Sequence, residues 1–236
     1  MEINILDSYE EISRKAASII TRQLEKNGDM LFCAATGNSP TGTYELLAGE
    51  YTTRPELFTR MRVLKLDEWG GIPINDPGSC DSYLQTHLLS PLHIDPQRYL
   101  SFQSDPSDPE LECRRMQDQL KAAGPIDLCL LGLGTNGHIG LNEPASSLQP
   151  GCHIARLSAS TLQHSMVARM ARPPSYGLTI GMADILQART VLILVSGPSK
   201  KSITRDFLSG KLTTSLPGSF LWLHDNAICL LDKESV

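Results

Sequence analysis

With 236 residues, 21 Lys and Arg against 26 Asp and Glu, and 41% hydrophobic residues, the chain has the make-up of an ordinary soluble protein with room for one sizeable core. A formal charge of -5 offers no basic surplus for nucleic acid, although a local pocket in an acidic protein can still hold an anion. No apolar run approaches the roughly 20 residues that cross a bilayer, and neither a signal sequence nor a linker is visible, so one cytoplasmic domain with no membrane partner is expected.

Met1 to Ile5 leads directly into a helix, which the capping-box spacing Ser8-Tyr9-Glu10-Glu11 starts and Gly28 ends. Its apolar face is Ile12, Ala16, Ile19, Ile20 and Leu24. Met30 to Ala35 is a continuous apolar run, as in a strand buried on both faces. The loop Thr36 to Gly42 follows, with Ser39 or Thr41 as the cap of a helix around Tyr44 to Leu47. Met61 to Leu66 predicts a strand that runs straight into a loop at Asp67 to Gly71, and helices follow at Ser82 to Leu89 and Pro109 to Ala122. The strand Ile126 to Leu131 breaks into Gly132 to Pro144, which reads G-L-G-T-N-G-H-I-G-L-N-E-P. Buried strands at Tyr176 to Ile180 and Thr190 to Val195, a helix carrying Lys200, Lys201 and Phe207, and a strand at Ala227 to Leu231 complete the order. This alternation predicts an α/β fold, a Rossmann-like open, mainly parallel sheet with helices on both faces. The six cysteines form no C-x-x-C pair and read as reduced core thiols.

Thr36 to Thr41, Asp67 to Gly71, Gly132 to Pro144 and Ser196 to Lys200 each follow a strand, so all four can meet at one edge of the sheet. The first is a Ser, Thr and Gly-rich strand-to-helix turn, suited either to a phosphate or to an ordinary turn. Lys200, near a helix start, is oddly placed for the helix dipole unless a bound dianion or open solvent compensates. Asp67 at a strand end is either a partly desolvated general base or a turn cap, and Glu68 should point to the other side. In the glycine-rich run, Gly132, Gly134 and Gly137 allow positive φ and ligand-facing amides. His138 has an orienting carboxylate, Glu143, and an amide, Asn136, close by, while His164 can line the same cleft. No H-x-x-x-H or cysteine cluster accompanies His138, so zinc is not indicated.

These spaced motifs, together with Leu178-Thr179-Ile180-Gly181 and Leu221-Trp222-Leu223-His224, resemble the glucosamine-6-phosphate deaminase and 6-phosphogluconolactonase superfamily over nearly the whole chain. Asp67-Glu68-Trp69 and Asn142-Glu143-Pro144 are similar to the deaminase side, since the lactonases typically carry Asp-Glu-Arg and lack Asn-Glu-Pro. The wording of Leu66 to Gly71 and Gly134 to Pro144 looks most like the galactosamine-6-phosphate isomerase branch. The resemblance implies a small-molecule sugar phosphate, no cofactor, Asp67 as the base between C2 and C1, and His138 with Glu143 as the ring-opening pair. It places the phosphate on Thr36, Gly37, Asn38, Ser39 and Lys200.

Three positions depart from the family pattern: Asn136 stands where the deaminases usually have aspartate, Asn38 replaces a loop glycine, and Val167 replaces a phosphate-binding arginine. Arg169 or Arg172 would have to substitute for that arginine. The chain stops at Val236 without the extension of the allosteric hexameric deaminases, and the basic effector residues are unmatched at His153 and Ala155, so no activation by an N-acetylated sugar phosphate is expected. Four readings follow: a galactosamine-6-phosphate deaminase/isomerase, a glucosamine-6-phosphate deaminase, a 6-phosphogluconolactonase, and a non-catalytic sugar-phosphate sensor. Both monomer and homo-oligomer remain open.

Overall fold

The structure, a computed structural model, describes residues 1–163 and 165–236. In chain order the elements are β1 (Glu2–Leu6), α1 (Tyr9–Lys26), β2 (Leu31–Ala34), α2 (Asn38–Thr53), β3 (Arg62–Lys65), β4 (Asp67–Gly70), α3 (Cys80–Leu84), β5 (Tyr99–Leu100), α4 (Pro109–Ala123), β6 (Leu128–Gly132), β7 (His153–Ala155), β8 (Tyr176–Thr179), α5 (Met182–Leu186), β9 (Val191–Val195), α6 (Lys201–Leu208) and β10 (Ala227–Asp232).

The main sheet has seven strands in the order β1-β10-β9-β6-β2-β3-β5, and every neighbouring pair is parallel. Its strands alternate between two cores. Cys33, Cys129 and Ile193 face the side covered by Met116 of α4 and Phe207 of α6, whereas Phe32, Leu130 and Leu192 face Ile20 of α1 and Leu47 of α2. Both faces are therefore apolar, which is why these strands read as unbroken hydrophobic runs rather than as alternating ones. A one-residue slip would exchange the two sets, so burial on both sides fixes the register. The expected α/β sheet with helices on both faces is present.

Four expectations need correction. Met1 to Ile5 does not lead idly into a helix; β1 pairs in parallel with β10 at the edge of the sheet. Asp67 to Gly70 is not a loop but strand β4, which leaves the main sheet and pairs antiparallel with β8. The strand at Tyr176 to Thr179 consequently belongs to a separate antiparallel sheet, β4-β8-β7, rather than to the parallel one. Asp, Glu and Gly are poor strand formers; here tertiary burial prevails, because all four residues of β4 are buried. Helix α2 also starts earlier than expected: Gly37, at φ 94, is its cap, and neither Ser39 nor Thr41 caps it with a side chain. Thr41 instead donates its hydroxyl back to the Gly37 carbonyl.

Candidate active site

In the main sheet the chain runs outward from β2 to β3 and β5 on one side and from β6 to β9 and β10 on the other, where the N-terminal β1 adds at the edge. The crevice between β2 and β6 is the switch point where open α/β sheets hold ligands. A cavity of about 150 Å³ lies there, lined by strand β4 and by the loops after β2, β6 and β9, including Thr36, Asp67, His138 and Lys200. The four segments meet at one edge of the sheet, the second of them as a strand rather than as the expected loop. A larger depression of about 750 Å³, beside Gln117, Asp184 and Gln187, brings together none of the predicted site residues.

One wall of the cavity is β4. Asp67 lines it with only 8% of its surface exposed. Burial raises its pKa to about 7, with the Glu68 charge acting in the same direction and Lys65 and Cys80 opposing. Strand alternation turns Glu68 away, where its carboxylate accepts from the amides of Trp69 at 2.8 Å, Cys80 at 2.8 Å and Asp81 at 2.9 Å, and from Lys65 Nζ at 2.6 Å. Two adjacent carboxylates thus have opposite fates, one accepting from four donors and one buried at the cavity with the Cys80 thiol as a weak donor.

The facing wall is the loop after β6. Asn136 Oδ1 lies 2.7 Å from His138 Nδ1, and Asn136 Nδ2 donates to Glu143 Oε2 at 2.8 Å. The amide can satisfy both bonds only if His138 Nδ1 carries a proton, which leaves Nε2 as the exchanging nitrogen. Glu143 Oε2 is 3.7 Å from His138 Nδ1, so the two form an ion pair when the imidazole is protonated. Ser158 N and Thr161 Oγ1 donate to the other oxygen of Glu143. Asn142 anchors the loop by donating to the carbonyls of Ile139 and Ile180, both at 3.0 Å.

The glycines act differently from the expectation. Of Gly132, Gly134 and Gly137, only Gly137 has positive φ. The amides of Gly134 and Gly137 bond within the loop, to His138 O and Gly134 O, so neither is offered to a ligand. Gly134 is required by space: a Cβ there would lie 2.4 Å from His138 Cε1.

At the cavity's far end α2, a helix of 16 residues with no acidic residue in its first turn, begins at Asn38. Its unpaired amide end favours an anion. Tyr9 donates to the Asn38 carbonyl at 2.8 Å and holds this turn. Lys200 Nζ reaches in to donate to Leu133 O, and burial lowers its pKa. Thr36, Gly37, Asn38, Ser39 and Lys200 therefore share one site with Asp67 and His138. Neither Arg169 nor Arg172 lines the cavity, and Arg172 instead lies 4.0 Å from Asp105 at the surface. The suggested role for His164 lies outside the described residues. His224 is structural, with Nε2 at 2.7 Å from Ala188 O.

Sequence reasoning missed Lys65, Cys80, Ser158 and Thr161, all of which brace the site from other segments. A lysine on an apolar strand three residues before Glu68 is the one available signal; the others carry none. Among the described residues, no group of three or more His, Cys, Asp or Glu could hold a metal ion, and no helix is long and apolar enough to cross a membrane.

Residues 7–229 match the family of glucosamine-6-phosphate isomerases/6-phosphogluconolactonase. The putative deaminase AgaI of Escherichia coli (strain K12) is 41% identical over 96% of this chain and 90% of its own. The glucosamine-6-phosphate deaminase of Alkaliphilus metalliredigens (strain QYMF) is 34% identical over 100% of this chain and 98% of its own. Among solved structures, a monomeric glucosamine-6-phosphate deaminase of the NagB superfamily superposes with a TM-score of 0.93 at 33% identity, covering 100% of this chain and 98% of that one. A 6-phosphogluconolactonase from Trypanosoma brucei, at 21% identity and a TM-score of 0.78, shares the fold. The chain is an enzyme of the glucosamine-6-phosphate isomerase/6-phosphogluconolactonase family, and it belongs with that family's aminosugar-phosphate deaminases.

Proposed function

We propose that the protein converts galactosamine 6-phosphate and water to tagatose 6-phosphate and ammonia. The observation that carries this reading is the pairing, across one cavity, of a buried carboxyl with a pKa of about 7 and an imidazole held by Asn136 and Glu143. A base poised near neutrality and a proton donor opposite it are what an aldose-to-ketose shift needs.

The phosphate sits on the amides at the start of α2 and on Lys200. His138, supported by Glu143, gives a proton to the ring oxygen and takes up the C1 hydroxyl proton as the ring opens to the aldehyde. Asp67 then takes the C2 proton while His138 returns its proton to the C1 oxygen, giving an enolamine, and the Asp67 proton is delivered to C1. The resulting C2 imine adds water and loses ammonia, leaving the ketose. Asn136 orients the His138 ring and passes it toward Glu143, but as a neutral amide it stabilises imidazolium less than a carboxylate does. No step calls for a cofactor.

The galacto assignment rests on the motif wording of Leu66 to Gly71 and Gly134 to Pro144. Relatives named for glucosamine 6-phosphate, 34% identical across the whole chain, support the gluco epimer as the second reading. Ammonia release from each epimer, measured as kcat/KM, decides between them. A higher value for the galacto compound is expected; a higher value for the gluco compound transfers the function to it, and no ammonia from either removes both.

A further inference from the structure

Lys65 and Glu68 are 1% and 0% exposed, yet neither touches the cavity. The ring-opening and deprotonation steps leave this buried ion pair unused. Its contacts all lead back to Asp67. Glu68 is the next residue on β4, and its carboxylate grips the first two amides of α3, Cys80 N and Asp81 N. That grip seats Cys80 so that its Sγ donates to Asp67 Oδ1 at 3.8 Å, while Thr36 Oγ1 donates to the same sulfur at 3.4 Å. Lys65 Nζ, between Glu68 at 2.6 Å and Asp81 at 3.4 Å, closes the cluster from β3.

We propose that Lys65, Glu68 and Cys80 are positioning residues that set the proton affinity and the aim of Asp67, with Glu68 acting in one direction and Lys65 and Cys80 in the other. The inference rests on Asp67 being the base of the proposed reaction. A negative charge beside a buried carboxylate favours its protonated form; a positive charge, or a donor to the carboxylate, favours ionisation. Burial and the Glu68 charge raise the proton affinity of Asp67, and Lys65 and the Cys80 thiol lower it. Other groups around it are accounted for. Asp81 lies on the far side of Lys65 and accepts from Tyr99 Oη at 2.9 Å. β8 places the neutral Thr179 opposite Asp67, and β2 and α2 contribute the buried Cys33 and Tyr44, whose protons burial retains. His138 and Lys200 line the cavity itself.

Cys80 also joins the base to the phosphate loop. Burial pushes its thiol well above the usual range, so it remains a donor while Asp67 ionises. Its hydrogen-bond partner Thr36 is in the loop that would hold the phosphate, so the cradle and the base share one chain of bonds.

The test is the acid limb of kcat/KM against pH. Substrate ionisations are common to all variants, so differences from wild type isolate the enzyme. Lys65→Met and Cys80→Ala should move the midpoint up and Glu68→Gln should move it down, each by about one unit. Cys80→Ser, which keeps a donor, should bring it back toward wild type. Midpoints that stay fixed, or that move one way in all three, overturn the proposal. Where a single charge variant does not fold, Lys65→Met/Glu68→Gln, which removes both charges, should restore a midpoint near wild type while Cys80→Ala stays shifted; an unshifted Cys80→Ala overturns it. If the wild type releases no ammonia, the functional reading fails by itself. The same shifts are then sought by carbon-13 NMR titration of the Asp67 carboxyl, assigned with Asp67→Asn, and their absence there overturns the inference.

Discussion

The two walls of the cavity handle protons by different physics. The β4 wall is strand, buried and nearly saturated with hydrogen bonds at Glu68, and desolvation raises the proton affinity of Asp67 there. The His138 wall is loop, and there a chain of side chains through Asn136 to Glu143 fixes which ring nitrogen is protonated. A carboxylate becomes a base near neutrality by losing water, whereas an imidazole already titrates in that range and needs only orientation. The rigid wall accordingly carries the group that must be tuned furthest.

The largest expected effect breaks the first wall. Folding raises the Asp67 pKa from about 4 to about 7, so the folded state binds the extra proton. The associated stability is fully present below the unfolded value, declines as pH rises between the two, and is lost above about 7. Asp67→Asn, which never ionises, should therefore melt higher than wild type by a margin that grows from pH 4 to 7 and then levels, up to about 4 kcal/mol. Thermal melts across that range check this, and a margin independent of pH contradicts it.

On the other wall, Glu143→Gln should lower kcat by about 100-fold, since the imidazolium loses its charged support. An equal loss with a substrate that cannot close its ring would move Glu143 out of ring opening. Lys200→Met sharpens the contrast with a group serving binding alone: KM should rise about tenfold with kcat nearly kept. The smallest effect belongs to Asn136→Asp, a few-fold change in kcat with the alkaline limb moved up as His138 gains a negative neighbour. A downward shift there would mean that the amide does more than orient the ring.

The parallel sheet was legible in the sequence because strands buried on both faces must be apolar throughout, as Leu31 to Ala34 and Val191 to Val195 are. The antiparallel sheet was not, because Asp67-Glu68-Trp69-Gly70 has the composition of a loop and becomes a strand only when β8 pairs with it. Asp67, His138 and Glu143 stood out as chemical groups at strand ends, and the structure brings Asp67 and His138 to one cavity with Glu143 behind the imidazole. Their supports did not stand out, since Cys80 and Thr161 are ordinary residues until the fold carries them to a carboxylate. Asn136, read both as an amide beside His138 and as a departure that weakens its charged support, joins His138 to Glu143 by hydrogen bonds.

The central claim is that Asp67 moves the proton at C2 of an aminosugar phosphate. Turnover of galactosamine 6-phosphate in heavy water, followed by NMR at C1 of the ketose with ammonia measured in parallel, tests it most directly. Wild type should give ammonia and a product carrying deuterium at C1, because the carboxyl proton exchanges with solvent between abstraction and return, and Asp67→Asn should give neither. Ammonia released by Asp67→Asn at the wild-type rate would contradict the account.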